Sequence, residues 1–471
     1  MAKPLTPDIC VIGAGNGGLA VAMGAAANGA KVVLVDRLTP KENLARGDLA
    51  SAAFIAAGQQ VQTIRKDSTF VAAHTEHEVD FKAVMAHVGD VVSGASPAVF
   101  PARLATLGIT FIHGQALFVS RSRLMAGEAE IRARRYVLAT GSKPIVPAIA
   151  GIEEIGCLTA DSVFELGRRP GHLVILGGDA AALELAQAFH RLGSQVTLLA
   201  EERVLADEDP EMVSVVVRQL RQEGVAIKEG FKVASVERRG KTGVKVLREG
   251  EYAEAIDGSH LLVAMGRAAD IEGLDLKKAR VALKDGVVDV SAMLRTTNRR
   301  IYAIGDVTGA RSAQAARRQA ERVLRALLFR LPAKDRTPVS RVVRTDPELA
   351  RVGLSEAEAR RRYKRLTIVR WPFAENDLAR ATGRTDGHVK LVVARSGQLL
   401  GVTIAGANAA ELIGIWALAL SKGLTLRDMA FSVPPHPTTG EIGKSAAMAY
   451  FGAKAQSPLR RGIVRLLRLF G

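Results

Sequence analysis

"DICVIGAGNGGLAVAMGAAANGAKVVLVDR", residues 8–37, carries a complete strand–turn–helix–strand unit. Ile9 to Ile12 form an apolar strand that runs into Gly13-Ala14-Gly15-Asn16-Gly17-Gly18 and then an alanine-rich helix. A second apolar strand, Val32 to Val35, ends at Asp36. Gly13 permits the tight turn, Gly15 lets a diphosphate touch the backbone, and Gly18 lets helix and strand pack closely. The helix N-terminus adds its positive dipole to the phosphate site. Asp36 falls where a carboxylate accepts the hydroxyls of an adenosine ribose. Strand, turn, helix, second strand and terminal acid follow in the order that a dinucleotide site requires.

Three later segments repeat a strand-then-glycine signal. They are "YVLATGSKP" (136–144), with Gly141, "LLVAMGRAAD" (261–270), and "RRIYAIGDVTG" (299–309), which ends its strand in Gly305-Asp306. With these in place the sequence resembles the pyridine nucleotide-disulfide oxidoreductases, a group that includes dihydrolipoamide dehydrogenase, glutathione reductase and mercuric reductase. The resemblance extends to about Phe451. It implies an α/β fold with two Rossmann-like dinucleotide-binding domains, one for FAD and one for NAD(P), and a C-terminal α+β dimerisation domain. It also implies that FAD lies on Gly13, Gly15, Gly18 and Asp36, with Asp306 on a ribityl hydroxyl. Gly114, in "FIHGQALF", matches the segment near the adenine, and Gly141 the turn after the third strand.

"HLVILGGDAAALELAQAFHRLGSQVTLLAEERVL" (172–205) repeats the unit where the family binds NADH or NADPH, in wording nearest to mercuric reductases. Counting back from Glu184, the three key positions hold Gly177, Asp179 and Ala182. Alanine at the third position still allows helix packing. Aspartate at the second sets a side chain and a carboxylate against a diphosphate. Two like charges ~4 Å apart repel by roughly 1 to 4 kcal/mol between bulk water and a surface dielectric. Two readings stand: a working nicotinamide site of weakened affinity, or a fold that has lost its nucleotide. Glu201 and Glu202, at the end of the second strand, favour a free ribose hydroxyl and hence NADH, while Arg203 would tolerate a 2′-phosphate.

The family's active site is a redox pair of cysteines on a helix start, Cys-x4-Cys-x-x-Ser-Lys. Only Cys10 and Cys157 are present here, and neither lies near that position. Aligning "ARGDLASAAF" (45–54) puts Ser51 on the family's Ser and Ala52 on its Lys, with a few residues deleted upstream. Thiol–disulfide exchange needs thiolates at this spot. The usual route to dihydrolipoamide, glutathione or mercuric ion is therefore closed. The chemistry left is hydride uptake by flavin and transfer to a quinone, another nucleotide or oxygen.

Near the C-terminus, "VPPHPTTGEIG" (433–443) matches a segment that in the family reaches across a homodimer into the partner's active site. There the His is the thiol's acid–base and a Glu five residues on orients its ring. These are His436 and Glu441. Without a thiol, His436 either protonates a different acceptor or is an inherited structural residue.

Length suggests two to four domains, and the resemblance implies FAD-domain segments at 1–150 and 276–340, an NAD(P)-type insertion at 151–275 and a dimerisation domain at 341–455. A basic amphipathic tail follows at 456–471. In that tail, "SPLRRGIVRLLRLFG", Leu459, Ile463, Leu466, Leu467, Leu469 and Phe470 share one helical face, and Arg461, Arg465 and Arg468 the other. That pattern points either to peripheral contact with an anionic membrane or to packing on the protein or its partner. The net charge of +17 attracts anions, but no nucleic-acid motif accompanies it. Two cysteines exclude a disulfide scaffold and a multi-cysteine metal site. The N-terminus enters a strand almost at once, which predicts no signal peptide and a cytoplasmic protein. The rival reading of the whole chain is a flavin-binding protein without turnover.

Overall fold

The computed structural model describes residues 3–38, 42, 47–66, 78–95, 101–240, 243–250, 254–310, 312–331, 337–455 and 458–468. The chain divides into two compact units, residues 1–201 with 228–335, and residues 202–227 with 336–471.

In the first unit, the opening strand Ile9–Ile12 pairs in parallel with Val32–Asp36 on one side and Arg135–Leu138 on the other. Ile109–His113 and Ile301–Ala303 extend the sheet at its two edges, giving a five-stranded parallel sheet. All four residues of Ile9–Ile12 are buried, as a central parallel strand covered on both faces demands. The helix Asn16–Ala27 packs on one face with the helix Ala313–Phe329. The three-stranded antiparallel sheet Ala116–Ser120, Arg123–Ala126 and Ala129–Ile131 covers the other.

The second glycine unit repeats the plan. His172–Leu176 pairs in parallel with Gln195–Ala200 and with His260–Val263, and the helix Ala180–Arg191 follows the turn. The helix Asp48–Lys66 begins where the family's redox helix would lie. Its Phe54, fully buried, packs against Phe189 of the helix Ala180–Arg191 with ring centroids 4.7 Å apart and planes tilted by 52°. Residues 43–46, where the deleted cysteine segment was read, lie outside the described residues.

The second unit is a five-stranded antiparallel sheet in the order Arg341–Val343, Glu348–Gly353, Leu399–Gly406, His388–Ala394, Leu366–Pro372. Strand alternation divides its two faces. Val389, Leu391 and Val393 join Trp416 and the helices Ala409–Lys422 and Glu441–Ala455 in one core. Lys390 and Arg351 point the other way, each paired in register with Thr403 of the strand between them. The Lys390 ammonium, 3% exposed, bonds Asp209 at 2.6 Å and Glu211 and Glu356 at 2.7 Å each. Arg351 bonds Glu208 at 2.6 Å. These pairs clamp the helix Pro210–Glu223 within this unit. The Glu211 carboxyl is held down at about 2, first by its hydrogen bond from Arg370 and then by Lys390. Its contribution to stability is complete above its ordinary 4.5 and is lost as pH falls towards 2.

Candidate dinucleotide and redox sites

A cavity of about 500 Å³ opens at the carboxyl ends of the first sheet's strands. Its lining includes Gly13, Gly15, Asp36, Gly114 and Gly141, five of the positions read from sequence. Gly13 sits at φ +107°, and a side chain there would collide with the Ala139 carbonyl. Gly15 caps the helix Asn16–Ala27 with no side-chain hydrogen bond, and a Cβ added to it meets nothing within 4 Å. The helix N-terminus is thus open to an anion. Gly18 lies behind the turn, packed against the Gly13 carbonyl. Asp36 accepts hydrogen bonds from the backbone N–H groups of Ala14 and, at 2.8 Å, Leu38. Gly114 N–H donates to the Asp36 carbonyl at 2.8 Å.

The far end of the cavity carries residues that the sequence reading passed over. Ser142 Oγ donates to the Asp306 carboxylate at 2.6 Å. Arg267 donates to Ser142 Oγ at 2.8 Å and grips Asp161 with two bonds, at 2.6 and 3.2 Å. The short strand Ser142–Pro144 pairs antiparallel with Arg267–Ala269, which brings these groups together. Thr140 Oγ1, on the cavity lining, is buried with no hydrogen-bond partner among the described residues. A buried hydroxyl without a partner is costly unless a ligand serves it. An open helix N-terminus, a ribose acid, an orphaned hydroxyl and Asp306 are what FAD would use. The residues fit the cofactor.

The second glycine unit is built differently at one atom. Gly177, at φ +134°, leaves no room for a side chain beside the Ala264 carbonyl, and Ala182 is buried. Asp179 is the N-cap of the helix Ala180–Arg191, and its carboxylate accepts the Ala182 N–H at 2.9 Å. The sequence suggested an obstructing side chain. The structure shows that it folds back and caps the helix. Glu184 is buried, and Glu201 stands exposed just past the strand end at Ala200. In the second unit, Arg203 donates to the carbonyls of Ala206 at 3.0 Å and Glu208 at 3.3 Å.

His436 and Glu441 do form a pair. His436 Nδ1 lies 3.1 Å from both carboxylate oxygens of Glu441, which also accepts the Thr438 N–H at 3.0 Å. The Thr438 backbone bond first, then His436, hold the Glu441 carboxyl below its usual range. The ring is 65% exposed, so its other nitrogen is accessible. Among the described residues the cysteines are both free: Cys10 is fully buried in the first strand, and Cys157 is half-buried. Burial pushes both thiols up.

The chain combines two glycine units on parallel strands with a unit that carries an antiparallel sheet and a His–Glu pair. The sequence matches the pyridine nucleotide-disulphide oxidoreductase family over residues 7–320 and that family's dimerisation domain over residues 339–447. The chain belongs to this family. It is 32% identical to a mercuric reductase of Streptomyces lividans over 94% of this chain and 96% of that one. It is 31% identical to a dihydrolipoyl dehydrogenase of Bacillus subtilis (strain 168), over 96% and 97% of the two chains. The HOCl-induced flavoprotein disulfide reductase RclA of Escherichia coli superposes with a TM-score of 0.84 at 26% identity, over 94% of this chain and 99% of that one. Membership supports an FAD-dependent pyridine nucleotide oxidoreductase and a homodimer.

Replacing Asp306, the acid that the family resemblance sets on a ribityl hydroxyl, should loosen the flavin. A hydrogen bond to a charged group contributes about 1.5–3 kcal/mol, so Asp306→Ala should bind FAD roughly ten- to a hundredfold more weakly. Dialysis followed by the absorbance ratio of flavin to protein reads this directly. Full retention would remove Asp306 from the flavin site.

Proposed function

We propose that the chain is a cytoplasmic FAD-dependent oxidoreductase that takes a hydride from NAD(P)H and reduces a small non-disulfide acceptor, a quinone foremost. The observation that carries this reading is the cysteine inventory: the cavity lined by Gly13, Gly15, Asp36, Gly114 and Gly141 stands in a chain whose two thiols are a buried core residue and a half-buried loop residue. Neither belongs to a redox pair beside the flavin position. FAD supplies two-electron transfer between the nicotinamide and the acceptor.

The chain's own residues then bind and move a proton. Gly13, Gly15, Asp36, Gly114, Gly141 and Asp306 hold the cofactor; Gly177, Glu184 and Glu201 belong to the nicotinamide fold. Quinone reduction consumes two electrons and two protons. Hydride from the nicotinamide brings both electrons and one proton, and His436 is assigned the second. Its Nδ1 faces Glu441, which directs any exchangeable proton on the open side to Nε2. In the homodimer, each His436 serves the partner's flavin site. Two exposed glutamates at the second strand's end, and an Arg203 engaged with its own loop carbonyls, support NADH over NADPH.

The C-terminal helix Pro458–Leu467 is assigned to the surface of an anionic membrane, where quinones reside. Among the described residues no helix is long and apolar enough to cross one. A second reading, a flavin-binding protein without turnover, is favoured by one observation, the carboxylate of Asp179 at the nicotinamide turn. Anaerobic mixing with NADH and with NADPH, followed by a soluble quinone, separates the two. The first reading expects the flavin absorbance to bleach with the nicotinamide and return with the quinone. A flavin that stays oxidised under both nucleotides would establish the second.

A further inference from the structure

The two glycine units of this chain differ at one position in how their helix N-termini are used. At Gly15 the cap carries no side chain and leads into the cavity. At Asp179, the same place in the second unit, a carboxylate already holds the Ala182 N–H and puts a negative charge on the axis of the helix Ala180–Arg191. A helix N-terminus is equivalent to roughly half a positive charge. The first unit leaves its helix end open to a ligand; in the second an aspartate side chain already takes one of the end's N–H groups. Everything else that the turn needs is in place. Gly177 keeps its left-handed conformation against Ala264, Ala182 is buried in the helix–strand contact, and the strand Gln195–Ala200 leads to an acid.

We propose that Asp179 sets the specificity of the second dinucleotide fold: as an internal anion it competes with a nucleotide diphosphate for this helix end. The site then discriminates against diphosphate-bearing nucleotides while keeping its surface for the adenosine. This rests on the assignment of the fold as the nicotinamide site. It deepens that assignment by making weak donor binding a built property of one residue. Discrimination is electrostatic, so it should vanish when the charge goes even if the cap stays. Asparagine caps a helix about as well as aspartate, and glycine only a few tenths of a kcal/mol less well. Asp179→Asn therefore removes the charge and keeps the hydrogen bond; Asp179→Gly removes both.

The experiment uses the FAD-loaded dimer, so that the first cavity is filled. Binding of ADP-ribose, which has the diphosphate but no nicotinamide, is measured by calorimetry for the wild type and both variants. Binding of adenosine, which has no phosphate, is followed by ligand-observed NMR. ADP-ribose should tighten about tenfold or more in Asp179→Asn and in Asp179→Gly, in proportion to the like-charge repulsion removed. Adenosine should stay within about twofold across all three. Equal ADP-ribose affinity in the three proteins would overturn the proposal and leave the hydride-donor reading standing. A parallel change in adenosine would also overturn it, by showing that the turn itself had moved. Absence of ADP-ribose binding in every variant would overturn both, since the fold would then hold no dinucleotide.

Discussion

Anaerobic titration of the purified dimer with a two-electron reductant should reach its end point at one equivalent per FAD. No long-wavelength absorbance from a thiolate stacked on flavin should appear on the way. A disulfide-bearing relative takes up a second pair of electrons, because the cysteine couple stores two and the flavin two. This chain has two cysteines, Cys10 and Cys157, and burial bears on both. Cys10 is fully buried in the first strand, between Ile9 and Val11, and burial pushes its thiol well above the usual range. A thiol so placed is neither nucleophile nor charge-transfer donor. Cys157 follows the short helix Ile152–Ile155 and packs against the hydrophobic cluster around Val174 and Val263 in the first unit, and it too is shifted up. Uptake of four electrons per subunit would reveal a hidden redox couple and end the non-disulfide reading.

That Gly13, Gly15 and Asp36 would meet at one cavity was legible because they are local in sequence. Turn, helix start and terminal acid lie within residues 13–36, and Gly13 and Gly18 there are each pressed against a backbone carbonyl. The partners of Asp306 were not legible. Ser142 and Arg267 lie 125 residues apart and meet only when Ser142–Pro144 pairs with Arg267–Ala269. The "TGS" and "GR" that follow the strand-then-glycine signals were the available clue. Lys390 was invisible for a related reason. A lysine inside "HVKLVVA" reads as a solvated edge position, whereas its carboxylate partner Asp209 comes from 181 residues away. Asp179 was legible as an anomaly but not as a cap. Sequence gives the residue at the turn, and only the fold shows which way its carboxylate points.

The second large effect concerns where the enzyme sits. Full-length protein should co-sediment with vesicles rich in phosphatidylglycerol, and a chain ending at Gln456 should stay in the supernatant. The family match ends at residue 447, so the helix Pro458–Leu467 lies beyond it. Residues 462–468 are all exposed, with Ile463, Leu466 and Leu467 at 49%, 56% and 63%. Those three follow the i, i+3, i+4 spacing of one helical face, and Arg465 and Arg468 fall on another. Burying an aliphatic side chain contributes about 1.5–3 kcal/mol when complete, and each arginine at an anionic surface about 1 kcal/mol. A ten-residue helix is marginal in water, so part of that gain is consumed in ordering it. One tail would bind weakly. A dimer presents two, and the second engages at the high effective concentration that the first creates. Binding should therefore depend on anionic lipid, weaken as salt screens the arginines, and fall steeply in any variant that is monomeric. Phosphatidylcholine vesicles should recover little protein. Equal recovery of full-length and truncated chains in the supernatant would sink the membrane assignment, and a loss of dimer on truncation would place the helix against the partner subunit instead.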